Sequence, residues 1–236
     1  MIKFFRKIRQ DLLSKGKTGK YLKYAIGEIV LVVIGILIAL QINNWNELRK
    51  ERKLENKLLD EVSKSIKTDT TSLNLEKRIF DRILYHGNLI REKIDNDEPY
   101  EKSLDSSFAI INTFVIQEAD YKAFERIENV GIEIITNEEL KKSLINYYDK
   151  SKFVASVENG EIGDIFMQKV YPKFFKRFAY AQHAVPIDFE KLKNESEFLI
   201  HLDYCINDAK WYRGQSMIRK KWAIRLIGIL DKELKK

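Results

Sequence analysis

The chain has 236 residues, 33% of them charged, a formal net charge of +7 and a single cysteine. One cysteine excludes an intramolecular disulfide framework, and the length leaves room for one domain, or two small ones, beyond any anchor. The positive excess is not spread as a nucleic-acid-binding surface would need. Residues 1–23 carry eight Lys or Arg and one acid, whereas residues 24–236 carry 34 of each sign.

The first segment, MIKFFRKIRQDLL, places Ile2, Phe5, Ile8 and Leu12 at helical spacing, with Lys3, Arg6, Lys7 and Arg9 between them. That pattern predicts a basic helix on an anionic membrane surface, joined by Lys20 and Lys23; a docking peptide for a cytoplasmic partner is the alternative. Gly16-Lys17-Thr18 looks like the end of a phosphate-binding loop. The glycine required five residues earlier is Asp11, and a helical pattern stands where a strand should precede it. A nucleotide loop is rejected.

Residues 24–45, YAIGEIVLVVIGILIALQINNW, follow. From Ile29 to Leu40 there are ten Ile, Leu or Val residues, and the remaining two are Gly35 and Ala39. The aliphatic run favours insertion by about 3–6 kcal/mol, more than Glu28 at its edge can oppose. As a helix the segment is about 33 Å long, enough to cross a bilayer. Tyr21, Tyr24 and Trp45 stand at headgroup level. No small-x-small cleavage site follows Leu40, so a retained anchor is expected rather than a cleaved signal. The basic excess on one flank predicts a cytoplasmic N-terminus and an extracytoplasmic remainder, periplasmic in a Gram-negative cell. Gly35 and Ala39 form a small-xxx-small pair that would allow close helix approach and a homo-oligomer. Glu28 is a candidate intramembrane acid; its plainer role is to meet Lys23 or lipid headgroups one turn inside the edge.

Beyond the span, Leu59, Val62, Ile66, Leu73, Phe80, Ile83, Ile90 and Ile94 share one heptad register. Asp69, Glu76 and Gly87 interrupt it, which argues for a bundle helix over a coiled coil. Thr68 to Ser72 reads as a candidate kink or break. Residues 95–107 hold Pro99 and read as a loop. Helices are expected through Phe108 to Ile116 and Asp120 to Asn129, with a turn at Gly131 and an extended piece over Ile132 to Ile135. Thr136 or Asn137 should cap a strong helix through Leu140, Leu144, Tyr147 and Tyr148, continuing toward Val157. Ile162 to Val170 regains helical spacing, and Phe174, Phe175, Phe178 and Tyr180 read as helically spaced core aromatics rather than a nucleic-acid stacking surface. Gln182 to Asp188 is predicted as a loop. Asn194 is expected to cap a last helix, about 60 Å long, that packs antiparallel to the first.

Catalytic signals are absent from this pattern. His86, His183 and His201 have no ligand spacing, and Cys205, one turn after His201, reads as a buried thiol. No nucleophile elbow, glycine-rich dinucleotide loop or CxxC occurs.

The block IKFFRKIRQ followed by GKTGKYLKYAIGEIVLVVIGILIALQINNWNE resembles the start of a family of uncharacterised bacterial single-pass membrane proteins, defined as a domain of unknown function. YKAFERIENVGIEIITNEELKKSLINYYD, residues 121–149, resembles that family more loosely. The resemblance implies an integral membrane protein with a helical extracytoplasmic domain, and it brings no catalytic residue, ligand or partner.

The expectation is therefore an all-α protein with a basic segment over 1–23, a span over 24–45 and an elongated helical bundle over 46–236. The expected role is a noncatalytic interaction, scaffold or accessory module of the bacterial inner membrane, without cofactor or metal. The bilayer and other envelope proteins are its partners, and nucleic acid is not. A sensor relaying a ligand signal through the span, or a subunit of an oligomeric pore, is the alternative.

Overall fold

The computed structural model describes residues 6, 18–114, 119–157, 168 and 171–235. They are overwhelmingly helical, and the fold is all-α with one small hairpin. The chain divides into two compact units, Met1–Glu55 and Asn56–Lys236.

Helix α1, Thr18–Asp95, contributes to both. Among the described residues it is the one helix long and apolar enough to cross a membrane. Every side chain from Ile29 to Leu40 is exposed, as befits a segment that is apolar on all faces. After it, the Arg49 guanidinium lies 5.9 Å from the Trp45 ring centre. Lys50 pairs with Glu47, and Arg52 with Glu55, one turn apart.

In the second unit, α1 continues without a break through the threonine cluster, where a kink was expected. The reason is local: the Thr68 and Thr70 hydroxyls donate to the Lys64 and Lys67 carbonyls, so the polar side chains are satisfied on the helix itself. The helix ends in a Schellman arrangement. Asp97 takes a left-handed φ of 51°, the Glu98 N–H donates to the Lys93 carbonyl at 2.9 Å, and that of Asp97 to the Ile94 carbonyl. The Lys193 ammonium holds the Asp97 carboxylate at 2.6 Å and keeps its pKa below the usual carboxylate range.

Helix α2, Leu104–Ile110, begins four residues earlier than the pattern around Phe108 suggested, because Leu104 is buried and Asp105 is held by the Tyr100 hydroxyl. Helix α3, Lys122–Val130, stops at Gly131, whose φ of 111° a side chain would resist. A single 3₁₀ turn, Ile132–Ile134, replaces the extended piece expected there, leaving only Ile135 extended. Helix α4, Glu138–Ser156, is capped by Asn137, whose side-chain oxygen accepts from the Leu140 N–H at 3.1 Å. The expected helix over 162–170 falls outside the described residues, Gln168 apart.

The short helix α5, Tyr171–Phe174, leads into strand β1, Phe175–Ala179, paired antiparallel with β2, His183–Pro186. This corrects both the helical reading of the aromatics and the loop reading of 182–188. Aromatic residues favour a pleated surface as readily as a helix. Here Ala181 at φ 55° turns the chain, and Phe175 is buried while Phe178 is partly exposed against the edge of Tyr171. The aromatics still serve as core: Phe175 stacks on Tyr171 at 4.4 Å and meets Phe108 and Phe198 edge-on. The last turn of helix, α6 at Phe189–Leu192, is capped by Asp188.

Helix α7, Ser196–Glu233, is the long last helix. Its cap position is Glu195, and Asn194 instead donates to the Glu190 carbonyl, which corrects the cap assignment. Lys67 with Asp231, Glu76 with Arg219, Asp81 with Arg213 and Arg91 with Asp203 fix α7 antiparallel to α1. Between them lies a core in three clusters. Leu59, Val62 and Ile66 pack with Leu144, Tyr148 and Leu226. Phe80 and Ile83 pack with Val154 and Tyr212. Ile90 packs with Phe108, Phe198 and Leu202.

Candidate interaction groove

The register that breaks at Asp69 and Glu76 is repaired by partners from other helices. Asp69 is buried; it accepts from the Tyr147 hydroxyl at 2.9 Å and from the Asp120 N–H at 3.2 Å. Burial pushes its carboxyl pKa up, and these donors oppose the rise. Glu76 is fully buried against Arg219 and Ser216. Gly87, the third interruption, sits where an added Cβ would meet Ile206 Cγ1 at 2.7 Å, so its missing side chain is what lets the helices approach.

A second polar cluster lies under the hairpin. His201 Nε2 is 2.8 Å from Asn112 Oδ1, and Asn112 Nδ2 donates to the Tyr171 hydroxyl at 2.7 Å. Because the amide nitrogen is engaged with Tyr171, the ring nitrogen facing Oδ1 is the donor. Cys205 Sγ stands 3.5 Å from that imidazole. A Cys–His–Asn set invites comparison with a thiol nucleophile and its base. However, Cys205 and His201 are both buried, and burial pushes the thiol pKa up and the imidazole down to about 4. The ion pair that a nucleophilic thiolate needs is thus disfavoured on both sides. The cluster is a neutral, satisfied part of the core. His86 and His183 lie elsewhere, and among the described residues no group of three His, Cys, Asp or Glu could hold a metal ion.

Among the described residues, the second unit has an open groove of about 730 Å³ between α4 and α7. Tyr147 and Leu226 form its floor, and the Tyr147 hydroxyl bond to Asp69 ties that floor to α1. Phe153 on α4 and Trp222 on α7 stand on its walls at 51% and 39% exposure. Lys150 reaches over the Phe153 ring, 4.7 Å from its centre. At one end Arg225 and Glu139 approach to 3.8 Å, both largely in solvent, so the pair adds little stability. The rim also carries Lys142 and Asp149. The sequence pattern did not reveal this groove; the exposed tryptophan within Lys220-Lys221-Trp222 was the signal available.

The residues singled out from sequence lie apart from it. Arg6 is helical and exposed, and Lys3, Lys7 and Arg9 fall outside the described residues. Lys20 and Lys23 lie in the first turns of α1, with Lys23 exposed. Glu28 is half-buried and Ala39 exposed, while a Cβ on Gly35 would enter open space. The structure gathers none of them into a site.

Among the described residues, the geometry defines a helical protein with one helix long and apolar enough to cross a membrane and a second, helical unit bearing an aromatic groove. The family model DUF6090, a family of unknown function, matches residues 28–199, and the chain belongs to that family. No curated protein and no solved structure matches it.

Proposed function

We propose that the protein is a noncatalytic, membrane-anchored interaction module of the bacterial cell envelope, a scaffold or accessory subunit. In this reading residues 24–45 span the inner membrane, the basic segment lies in the cytoplasm and the helical unit in the periplasm. The observation that carries it is the α4–α7 groove, where Phe153 and Trp222 are partly exposed above a buried floor. Exposed tryptophan in a concave site is characteristic of binding surfaces.

A sensor is the second reading, because the groove volume falls in the range of small-molecule sites. Its open side favours a macromolecular occupant.

The test is the mass and composition of the full chain, crosslinked in membranes and extracted in mild detergent. A defined complex with other envelope proteins supports the module. A bare monomer or homo-oligomer overturns it and moves the weight to a sensor or pore. A reporter active only outside the cytoplasm, fused after Lys236, should be active; silence there would reverse the proposed orientation.

A further inference from the structure

We infer that the outer edge of strand β1 takes up an extended, acidic segment of another polypeptide by strand addition. The edge lies apart from the α4–α7 groove, and the inference takes from the module reading only that the partner is a protein.

The hairpin has an open side. Among the described residues β1 pairs with β2 alone, and β2 is backed in turn by α2. Ala184 and Pro186 on β2 are buried, whereas Lys176, Arg177 and Phe178 follow one another on β1 and are all exposed. In a two-stranded ladder, alternate backbone N–H and C=O groups of each strand point away from the partner. Those of β1 meet no further strand among the described residues, and an incoming extended peptide is what satisfies such groups. The pairing is irregular between Phe175 and Arg177. Nearer the turn it runs evenly, Arg177 with Val185, Phe178 with Ala184 and Ala179 with His183. The template is undistorted there.

Charge selects the segment. Residues 171–187 contain Lys173, Lys176 and Arg177 and no Asp or Glu. Lys173 is taken by Glu197 at 3.0 Å. Lys176 and Arg177 form no ion pair among the described residues. The plainer role of a charged edge is to keep other strands away. That guard discriminates by sign: it repels a basic strand and attracts an acidic one. A second copy joining β1 to β1 would bring these cations up against their own counterparts, which cross-strand pairing disfavours.

The flanks are apolar. Phe178 and Tyr180 are 37% and 56% exposed, and Ile187, whose N–H donates to the Phe174 carbonyl, is 54% exposed. Phe178 is seated against the edge of the Tyr171 ring, so it offers a fixed contact. A complementary segment therefore mixes acids with apolar side chains. Anionic lipid headgroups would satisfy the cations and the rings, but they would leave the backbone edge unpaired.

The experiment places the photo-crosslinking residue benzoylphenylalanine at position 180 of the full chain in membranes, irradiates, and maps the adduct by mass spectrometry. The expected adduct lies on one other polypeptide, in a segment that mixes Asp or Glu with apolar residues. Lys176→Glu/Arg177→Glu should lower its yield about tenfold or more, and raised salt should lower it in the parent chain. Lys232→Glu, exposed at the far end of α7, should leave the yield unchanged. Amide exchange over Arg177–Ala179 should slow about tenfold or more in the crosslinked chain, which contact through side chains alone would not produce. An unchanged melting curve for the double variant shows that its fold is intact. Adducts only with lipid, within the same chain, with a second copy or with a segment lacking acids would overturn the inference. So would no adduct, a yield indifferent to the charge reversal, or unaltered amide exchange. If the detergent complex forms while position 180 gives no protein adduct, the edge assignment fails and the module reading stands. If neither complex nor adduct forms, both fail.

Discussion

Glu76 on α1 and Arg219 on α7 form an ion pair in which both side chains are essentially without solvent contact. Taking one partner away leaves a bare charge in the core, at a cost of about 3–5 kcal/mol. Glu76→Gln and Arg219→Met should each lower the denaturation midpoint of the detergent-solubilised protein accordingly. Glu76→Leu with Arg219→Met should recover most of the loss, because two apolar groups satisfy each other where one orphaned charge cannot. A double variant as unstable as the singles would show that the pair is not the source of the cost.

Tyr147 and Asp69 give a milder case. Tyr147→Phe removes one donor from a buried carboxylate and should cost about 1–3 kcal/mol near neutral pH. Asp69→Asn should cost less, since the charge that burial penalises goes with it. Asp69 has a raised pKa in the fold, so its carboxylate weighs against stability above that value and is relieved by protonation below it. The Tyr147→Phe penalty should therefore shrink as pH is lowered, which denaturant titrations at several pH values would show.

His201 works in the opposite sense. Its imidazole has a pKa of about 4 in the fold against an ordinary 6.5. Between those values the unfolded chain takes up a proton that the folded chain refuses, so stability falls with falling pH across the window, by about 3 kcal/mol at most. His201→Gln, which keeps a donor for Asn112, should flatten that part of the pH–stability curve relative to the parent. Equal slopes in the two proteins would assign the acid sensitivity to other groups.

Gly87→Ala should destabilise despite the better helix propensity of alanine. The new methyl meets Ile206 at Cγ1, next to the side chain's branch point rather than at its free end, and overpacking of this kind costs about 1–3 kcal/mol. Ile206→Ala in the same chain should turn the cost into compensation. Purely additive effects in the double variant would place the strain elsewhere.

Much of this architecture was legible because local patterns decide it. The aliphatic run from Ile29 to Leu40, the heptad seam from Leu59 to Ile90 and the cap at Asn137 each announce themselves within a few residues. What escaped depends on residues far apart in the chain. Asp69 and Glu76 look like flaws in a seam until Tyr147 and Arg219 arrive from more than seventy positions away. The polar stretch from Arg213 to Lys221 likewise looks like a gap in the last helix, though Ser216 and Arg219 within it are the partners of Glu76. An acid in one seam and a cation in the other is the signal that pairs those two helices. The hairpin was hidden because Phe174, Phe175 and Phe178 stand at helical spacing, while the strand pairing depends on a turn at Ala181 that no glycine or asparagine marks. The groove was hidden because it belongs to the surface, where periodicity is silent.

Because Glu76 meets Arg219 across a separation of 143 positions, the seam of α1 is complete only once α7 has packed against it. Until then the apolar seam from Leu59 to Ile90 is only partly covered, and the Glu76 carboxylate lacks its counter-charge.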